Sequence, residues 1–318
     1  MIDTLHLNRP LDSWKQFDQL TDKLDQAKVQ QDIEKEGPPC VTGHLDNLRV
    51  RVDPGWVWIK GSISKWHLGD NQQRLTRKGT EEAIKHLSDD LGLDLAPAKI
   101  TRLDLGATLI VRKLVSEYLS FMGECTRMNR GNWSGVNGPS VYYQNGQRQF
   151  VLYDKKAEVM QKKKPINAVY KGQNLLRLEL RLTRRVAKQL DREKLLVQDI
   201  FQEQCYISLL KKFISQYQQV RKLKTLSIKE GMAMENTKQL LQQLTLVGLK
   251  QLGGEQPLVE LLKSEKDAGR LDRQQFHRMK SKLHQLTADP QVIDTGDQMT
   301  DLIEEINTKV QRAISSYR

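Results

Sequence analysis

Cysteine and long apolar runs are scarce in this sequence, and each absence excludes a class of protein. The 318 residues include only Cys40, Cys125 and Cys205, which are far apart. That spacing supports neither a disulfide framework nor a cysteine-rich zinc site, so we expect a protein of the reducing cytoplasm. No stretch approaches the ~20 apolar residues of a membrane-spanning helix, and Met1–Pro10 lacks the apolar segment of a secretory signal.

Several motifs of common enzymes are also missing. The chain has no GxxxxGK[ST] phosphate loop, no GxSxG motif and no HExxH motif. An ATPase, a serine hydrolase or a zinc hydrolase of the HExxH type therefore has no visible basis. The six histidines are scattered, so a histidine metal centre is not expected either.

Positive charge is concentrated in the middle of the chain. The net charge is +12, and the segment from Thr101 to Leu190 holds 17 Lys and Arg residues against 6 Asp and Glu. Nearly the whole excess therefore lies in less than a third of the chain. A basic segment of this kind favours binding to DNA or RNA, because binding releases counterions from the polyanion. The alternative is a solvated basic face or an acidic protein partner.

Up to about Leu182 the chain alternates short β-rich segments with a few helices. Two pairs of alternating segments flank turn sequences, Asp53-Pro54-Gly55 and Asn145-Gly146, and predict β-hairpins. In Leu175–Leu182 every second residue is leucine, which predicts a strand with one core face and with Glu179 on the other. The remaining predicted elements are a strand at Ala98–Val111 and helices at Pro10–Lys28, Thr80–Leu91 and Leu114–Met128.

Beyond Thr183 the apolar spacing is helical almost throughout. We therefore expect two domains, residues 1–195 and residues 196–318, the second all-helical. The predicted helices are Val186–Val197, Ile200–Tyr217, Ile228–Leu244, Gln256–Glu265, Asp272–Leu286 and Thr300–Tyr317.

Three acids stand out within the basic segment. Asp104, Glu158 and Glu179 each follow or interrupt a strand-like run. If they converge, their hard oxygen ligands favour Mg²⁺ or Mn²⁺. The alternative is that each acid pairs with a neighbouring arginine of the same sheet face.

Tyr153 is a candidate nucleophile because it ends a strand-like segment two residues before Lys155. Transfer of a phosphoryl group to a phenol needs positive charge beside the scissile phosphate, and a lysine can supply part of it. Tyr142, Tyr143 and Tyr170 compete for this role. A tyrosine on a strand is also more often a packing residue than a nucleophile.

The order of five short motifs resembles the phage and plasmid replication initiators of the gene II/X family. They are MIDTLHLNRP, ISKWHLGDN, ITRLDLGATLIV, VLYDKKAE and LLRLELRLTRR, and the similarity runs through about Ile200. The resemblance implies an α+β fold with a central antiparallel sheet flanked by helices, as in rolling-circle initiators and relaxases, followed by an all-helical region. That region is expected to serve origin recognition, oligomerisation or helicase recruitment.

The resemblance also implies a site-specific, metal-dependent endonuclease and strand transferase of rolling-circle replication. Tyr153 would be the nucleophile with Lys155 beside it. It would form a 5′-phosphotyrosyl link and free a 3′-OH for a host polymerase. Asp104 and Glu179, with Glu158 as third ligand, would hold Mg²⁺ or Mn²⁺. The substrate would be single-stranded or extruded origin DNA in the bacterial cytoplasm, and a host helicase and a second copy of the chain are further expected partners.

Six residues are expected to contact DNA. Arg102, Arg177 and Arg181 would bind phosphates, Lys65 and Asn71 would approach DNA from a turn at Gly69, and Trp133 would stack on a base. Two other functions stay open. A relaxase or transposase would use the same chemistry, and a non-catalytic replication regulator would bind DNA without cleaving it.

Overall fold

The computed structural model of the chain describes residues 1–30, 40–73, 75–133, 138–223, 236–287 and 297–315. In these residues ten strands form one antiparallel sheet in the order β2-β3-β4-β5-β1-β6-β11-β10-β9-β8, and β7 and β12 form a second small sheet. The strands are β1 (Ile2–Pro10), β2 (Asp25–Gln30), β3 (Cys40–Leu45), β4 (Leu48–Asp53), β5 (Trp56–Ser62), β6 (Lys99–Val111), β7 (Met122–Cys125), β8 (Asn129–Trp133), β9 (Ser140–Gln144), β10 (Arg148–Asp154), β11 (Asn174–Leu182) and β12 (Val220–Lys222).

Helices follow or separate these strands, and the chain beyond β12 is helical wherever it is described. The predicted α+β class, with an antiparallel sheet and a helical C-terminal region, is therefore confirmed. The helices are α1 (Trp14–Thr21), α2 (Ile63–Leu68), α3 (Arg77–Leu91), α4 (Val115–Ser120), α5 (Lys155–Gln161), α6 (Val197–Phe201), α7 (Glu203–Gln218), α8 (Thr237–Gln251), α9 (Glu255–Asp267), α10 (Arg273–Leu286) and α11 (Asp297–Ser315).

One face of the large sheet is apolar and covered by helices. Leu48, Val50 and Val52 of β4 are fully buried, whereas Arg49 and Arg51 between them are exposed. Phe150 of β10 meets Phe213 of α7 edge to face at 6.0 Å between ring centroids. Strand alternation therefore sends the polar side chains of the sheet to its opposite face, where the candidate site lies.

The structure confirms both predicted hairpins. β4 and β5 pair around Asp53-Pro54-Gly55, where Asp53 accepts hydrogen bonds from two backbone N–H groups of the turn, and β9 and β10 pair around Asn145-Gly146. β6 and β11 also lie where strands were predicted, and β11 pairs with β6 along the whole length of β11.

Three predicted helices are wrong in part. Pro10–Lys28 contains only the short helix α1, which ends at Thr21, and the chain then enters β2. Leu114–Met128 contains α4 and then β7, because the chain becomes extended at Met122. Val186–Val197 contains only one turn of 3₁₀ helix. In each case helical spacing over a short run was outweighed by pairing with a strand or by a loop, since tertiary contacts override weak local preference.

The chain divides into two compact units. The first comprises Met1–Leu119, Glu124–Val220 and Thr308–Arg318 and contains the ten-stranded sheet; the second comprises Ser120–Gly123 and Arg221–Asn307. Leu246, Leu249, Val259 and Leu283 form a core within the second unit. Among the described residues, no helix combines the length and the apolar composition needed to cross a membrane.

Candidate active site

Tyr153 lies at the end of β10 with its hydroxyl aimed at the next strand of the sheet. The hydroxyl donates a hydrogen bond of 2.8 Å to Oε1 of Glu179 on β11. Burial and then the negative charge of Glu179 raise the pKa of this phenol well above its usual value. At rest the tyrosine is therefore a neutral phenol whose proton already points at a carboxylate.

Two arginines keep Glu179 ionised although it is almost completely buried. Arg181 binds Oε2 through Nε at 3.1 Å and Nη2 at 2.7 Å, and Arg177 Nε reaches Oε1 at 3.3 Å. Burial alone would raise the pKa of Glu179, but the charges of Arg177 and Arg181 hold it at about 2. The carboxylate is thus a fixed negative charge at neutral pH.

Arg177 is the buried centre of the site, since only 4% of it is exposed. Its guanidinium donates to Asp3 of β1 at 2.9 Å and to Thr108 of β6 at 3.0 Å. The group lies over Gly106, where a Cβ atom would come within 2.2 Å of Nη2. Arg177 was expected to contact phosphate; the structure instead gives it buried partners on three strands, which suits a positioning residue.

Asp104 lies one strand further along, on the same polar face. Arg102 binds both of its oxygens, at 2.9 and 2.7 Å. Burial raises the pKa of Asp104, and Arg102 offsets part of that effect. Arg181 is the cross-strand neighbour of Asp104, and it binds Glu179, which in turn accepts the hydrogen bond from Tyr153. Asp104, Glu179 and Tyr153 therefore lie on three neighbouring strands, β6, β11 and β10.

Lys155 and Asn71 join the same network from the edge of the site. The Lys155 ammonium is fully buried, 6.0 Å from the centre of the Tyr153 ring, and it donates to Asn71 Oδ1 at 3.0 Å and to Glu158 at 2.7 Å. Burial lowers the pKa of Lys155, whereas for Glu158 the bonds from Lys155 and Lys162 outweigh burial and lower the pKa.

The turn after α2 brings Asn71 into this position. Gly69 ends α2 in the left-handed conformation with φ of 78°, and the side chain of Asp70 then accepts hydrogen bonds from the N–H groups of Gln72 and Gln73. Asn71 consequently reaches back to Asp3 at 3.3 Å. The short Gly-x-Asn segment has a structural purpose here, because glycine adopts this conformation without strain.

Two of the three competing tyrosines, Tyr142 and Tyr143, have surroundings that differ from those of Tyr153. Tyr143 is fully buried and stacks on Phe150 in the apolar core. The Tyr142 ring packs over Gly131, where a Cβ would come within 2.3 Å of it. Tyr153 is the one of these three whose hydroxyl bonds an acid of the network.

In the structure, the carboxylates of Asp104, Glu158 and Glu179 do not form a metal-binding group. Asp104 is held by Arg102, Glu179 by Arg177 and Arg181, and Glu158 by Lys155 and Lys162. In the described part of the chain no three His, Cys, Asp or Glu residues gather closely enough to hold an ion. An ion on Asp104 and Glu179 would have to displace arginine from both. The predicted Mg²⁺ or Mn²⁺ site stays a prediction.

Two predicted DNA contacts are not connected to the network, and several members of it were not predicted. The backbone N–H of Lys65 donates to the Ser62 hydroxyl and its carbonyl accepts from Gly69, the two residues that cap α2, and the Trp133 side chain lies outside the described part of the structure. Asp3, Gly106 and Thr108 were missed. A glycine inside an otherwise leucine-rich strand is a signal of close backbone approach and could have pointed to Gly106.

The fold and the site define an α+β protein whose open sheet face carries a tyrosine, paired acids and arginines. The family model for the N-terminal part of the gene II-type replication-associated protein of phages matches residues 1–224, which include every candidate site residue named above, and the chain belongs to this family. Membership supports a role as a phage replication initiator that binds DNA. A comparison with curated proteins finds no significant match.

Proposed function

We propose that the chain initiates rolling-circle replication by nicking one strand of origin DNA through Tyr153. The observation that carries this proposal is the hydrogen bond from the Tyr153 hydroxyl to Glu179, in a cluster that also holds Arg177, Arg181 and Lys155. A nucleophile with a fixed proton acceptor and flanking cations is the arrangement that phosphoryl transfer requires.

In the proposed reaction the Tyr153 oxygen attacks the scissile phosphorus. The new phosphorus–oxygen bond forms as the bond to the 3′ oxygen breaks, which leaves a 5′-phosphotyrosyl link and a 3′ end that takes up a proton. The phenol proton passes through the hydrogen bond to Glu179 and on to water, because Glu179 stays ionised at neutral pH, and the 3′ oxygen takes its proton from water. Arg181 is about one-third exposed and can turn toward the phosphate, whereas Arg177 and Lys155 are buried and act by placing charge beside the phenol.

The predicted Mg²⁺ or Mn²⁺ would add Lewis-acid stabilisation of the scissile phosphate. The helical region, residues 196–318, would supply origin recognition, oligomerisation or helicase recruitment, and the reaction would take place in the cytoplasm of the bacterial host. A relaxase or transposase would share the chemistry, so the replicon on which the chain acts decides between them.

The test is a protein–DNA adduct on supercoiled DNA of the parent replicon with Mn²⁺ or Mg²⁺. We expect wild type and Tyr142→Phe to form a covalent adduct and Tyr153→Phe to form none while it still binds the origin. An adduct with Tyr153→Phe would show that the nucleophile is another residue. Binding without any adduct in the wild type would favour the non-catalytic regulator.

A further inference from the structure

The open sheet face carries a second polar surface that the proposed chemistry does not use. Arg49, Arg51, Trp58 and Lys60 line a hollow of about 120 Å³ on β4 and β5. That volume exceeds the ~30 Å³ of a single water, so the hollow can admit part of a larger group. In the sheet, β1, β6 and β11 separate β5 from β10.

Two indole rings and a guanidinium form a layered edge to this hollow. Trp56 and Trp58 have ring centroids 6.4 Å apart and an interplanar angle of 29°, and the Arg51 guanidinium lies 5.2 Å from the centre of the Trp58 ring. Trp56 is 43% exposed, which is unusual for so large an apolar ring. Exposed rings beside cations are the arrangement on which unpaired bases stack.

The cations of the hollow differ from those of the active site. Arg177, Arg181 and Lys155 are each paired with a carboxylate. By contrast, none of the three cations that line the hollow has a carboxylate partner among the residues that the structure describes. All three cations are exposed, so their charge faces solvent, although Arg51 Nε also donates to Cys40 Sγ at 3.0 Å.

The hollow and the active site belong to one continuous face. Lys60 is the cross-strand neighbour of His6, and His6 is the cross-strand neighbour of Arg102, which binds Asp104. Four strand-to-strand steps of ~4.8 Å separate β5 from β10, a distance on the order of 20 Å. At ~3.4 Å for each stacked nucleotide, roughly six nucleotides would span it.

We propose that a platform formed by Arg49, Arg51, Trp56, Trp58 and Lys60 holds the unpaired DNA strand at a distance from the nucleophile. Bases stack on the two indoles, and the three cations bind the phosphates. The identification of the ligand as DNA rests on the proposed function. The inference that bases stack here rests on the two indole rings. Stacking favours a single strand over a duplex, because paired bases do not expose their faces.

The experiment measures binding of a fluorescent thymidine 12-mer to the full chain carrying Tyr153→Phe, as a function of salt. Trp56→Ala is expected to weaken binding by about 5- to 100-fold with little change in salt dependence, as loss of one stacked base does. Lys60→Gln is expected to lower the slope of log K against log salt by about 0.7, the value for one phosphate contact on a single strand.

Matched controls come from helices of the same unit. Trp14→Ala removes an indole from α1 that is even more exposed than Trp56, and Lys78→Gln removes an exposed lysine from α3. Both are expected to bind the 12-mer like the parent. Trp58→Phe keeps a ring under Arg51 and is expected to retain most of the affinity, and a thermal melt of each variant shows that it is folded.

The proposal is overturned if Trp56→Ala and Lys60→Gln bind like their controls. It is also overturned if Trp56→Ala weakens a duplex 12-mer as much as the single strand, because stacking would then not be the cause. Should Trp56→Ala fail to fold, the salt slope of Lys60→Gln decides. The nicking proposal fails separately, through the absence of an adduct on supercoiled DNA, whatever the 12-mer does.

Discussion

Gly106 owes its importance to the arginine that lies across it. A side chain at this position would meet the Arg177 guanidinium, which holds Asp3, Thr108 and Glu179 in place. A strand normally gains from a side chain at such a position, since glycine costs it about 0.5–1 kcal/mol. Here close approach of the guanidinium outweighs that preference.

Gly106→Ala should therefore destabilise the chain by about 1–3 kcal/mol, as overpacking does, and should reduce formation of the tyrosine adduct, because Glu179 loses one of its two arginine partners. Urea unfolding and the adduct assay measure the two effects. The control is Gly146→Ala, because no atom lies within 4 Å of a Cβ at Gly146. Equal behaviour of the two variants would mean that Arg177 has room to move aside.

His6 predicts a pH dependence of folding. Burial, then the charges of Arg102 and Lys60, lower its pKa from 6.5 to about 4. Between these values the unfolded chain binds a proton that the folded chain does not, so stability falls as the pH drops through this window.

Replacing His6 with Asn should reduce this loss of stability between pH 6.5 and pH 4, measured as the shift of the urea midpoint. The exposed His44 on β3 provides the matched control, His44→Asn. A pH profile of His6→Asn that matches the profile of wild type would contradict the prediction.

The sequence predicts which residues belong to the candidate site better than it predicts the contacts between them. Tyr153, Asp104 and Glu179 were chosen from local patterns, and the structure brings them together. For Asp104 and Glu179, pairing with a neighbouring arginine was one of the two alternatives that the sequence left open. Asp3 could not be found in this way, because its place depends on the register of β1 against β6, which are about 90 residues apart in the chain.

At the scale of elements, local sequence patterns predicted the strands correctly where a turn motif or an alternation of apolar and polar residues was clear. The turns at Asp53-Pro54-Gly55 and Asn145-Gly146 fix their hairpins through the residues of the turn itself. Pro10–Lys28 carries weaker signals: apolar residues at helical spacing continue past the end of α1, but pairing with β3 makes β2 a strand. Short segments of mixed preference are decided by the partner strand, which a local pattern does not contain.

In the second unit, Glu255 at the start of α9 contacts Arg221 of β12 and Thr287, which follows α10. It is buried and accepts hydrogen bonds from Arg221 at 2.7 Å and from Thr287 at 2.6 Å, and His284 also contacts it. Despite burial, these partners lower the pKa of Glu255.

Glu255→Gln should destabilise the second unit by about 1–3 kcal/mol, because one buried partner of Arg221 loses its charge. All five tryptophans precede residue 134, so tryptophan fluorescence reports on the first unit, whereas far-ultraviolet circular dichroism also reports on α8–α10. We expect the circular dichroism transition to move to lower temperature and the fluorescence transition to stay in place. Glu304→Gln, at an exposed position of α11, is the control; a fluorescence shift equal to the dichroism shift would contradict this.

At the scale of the whole molecule, each acid that is buried among the described residues already has an arginine partner. These acids are Asp3, Asp104, Glu179 and Glu255. Removal of divalent metal with EDTA should therefore leave the melting temperature unchanged, although adduct formation is predicted to stop. A melting temperature that rises strongly with Mg²⁺ would show that the folded chain binds the ion and that the arginine pairs open to admit it.

The pairing of acids with arginines in the active site has a consequence for how the protein could be adapted. Because positive and negative side chains nearly cancel there, the catalytic cluster contributes little long-range attraction for a nucleic acid. On the proposed function, cations outside this cluster would supply that attraction, among them those that line the hollow on β4 and β5. DNA binding and the proposed strand cleavage could thus be altered independently, and charge added along β4 and β5 could quicken encounter with DNA without disturbing Tyr153.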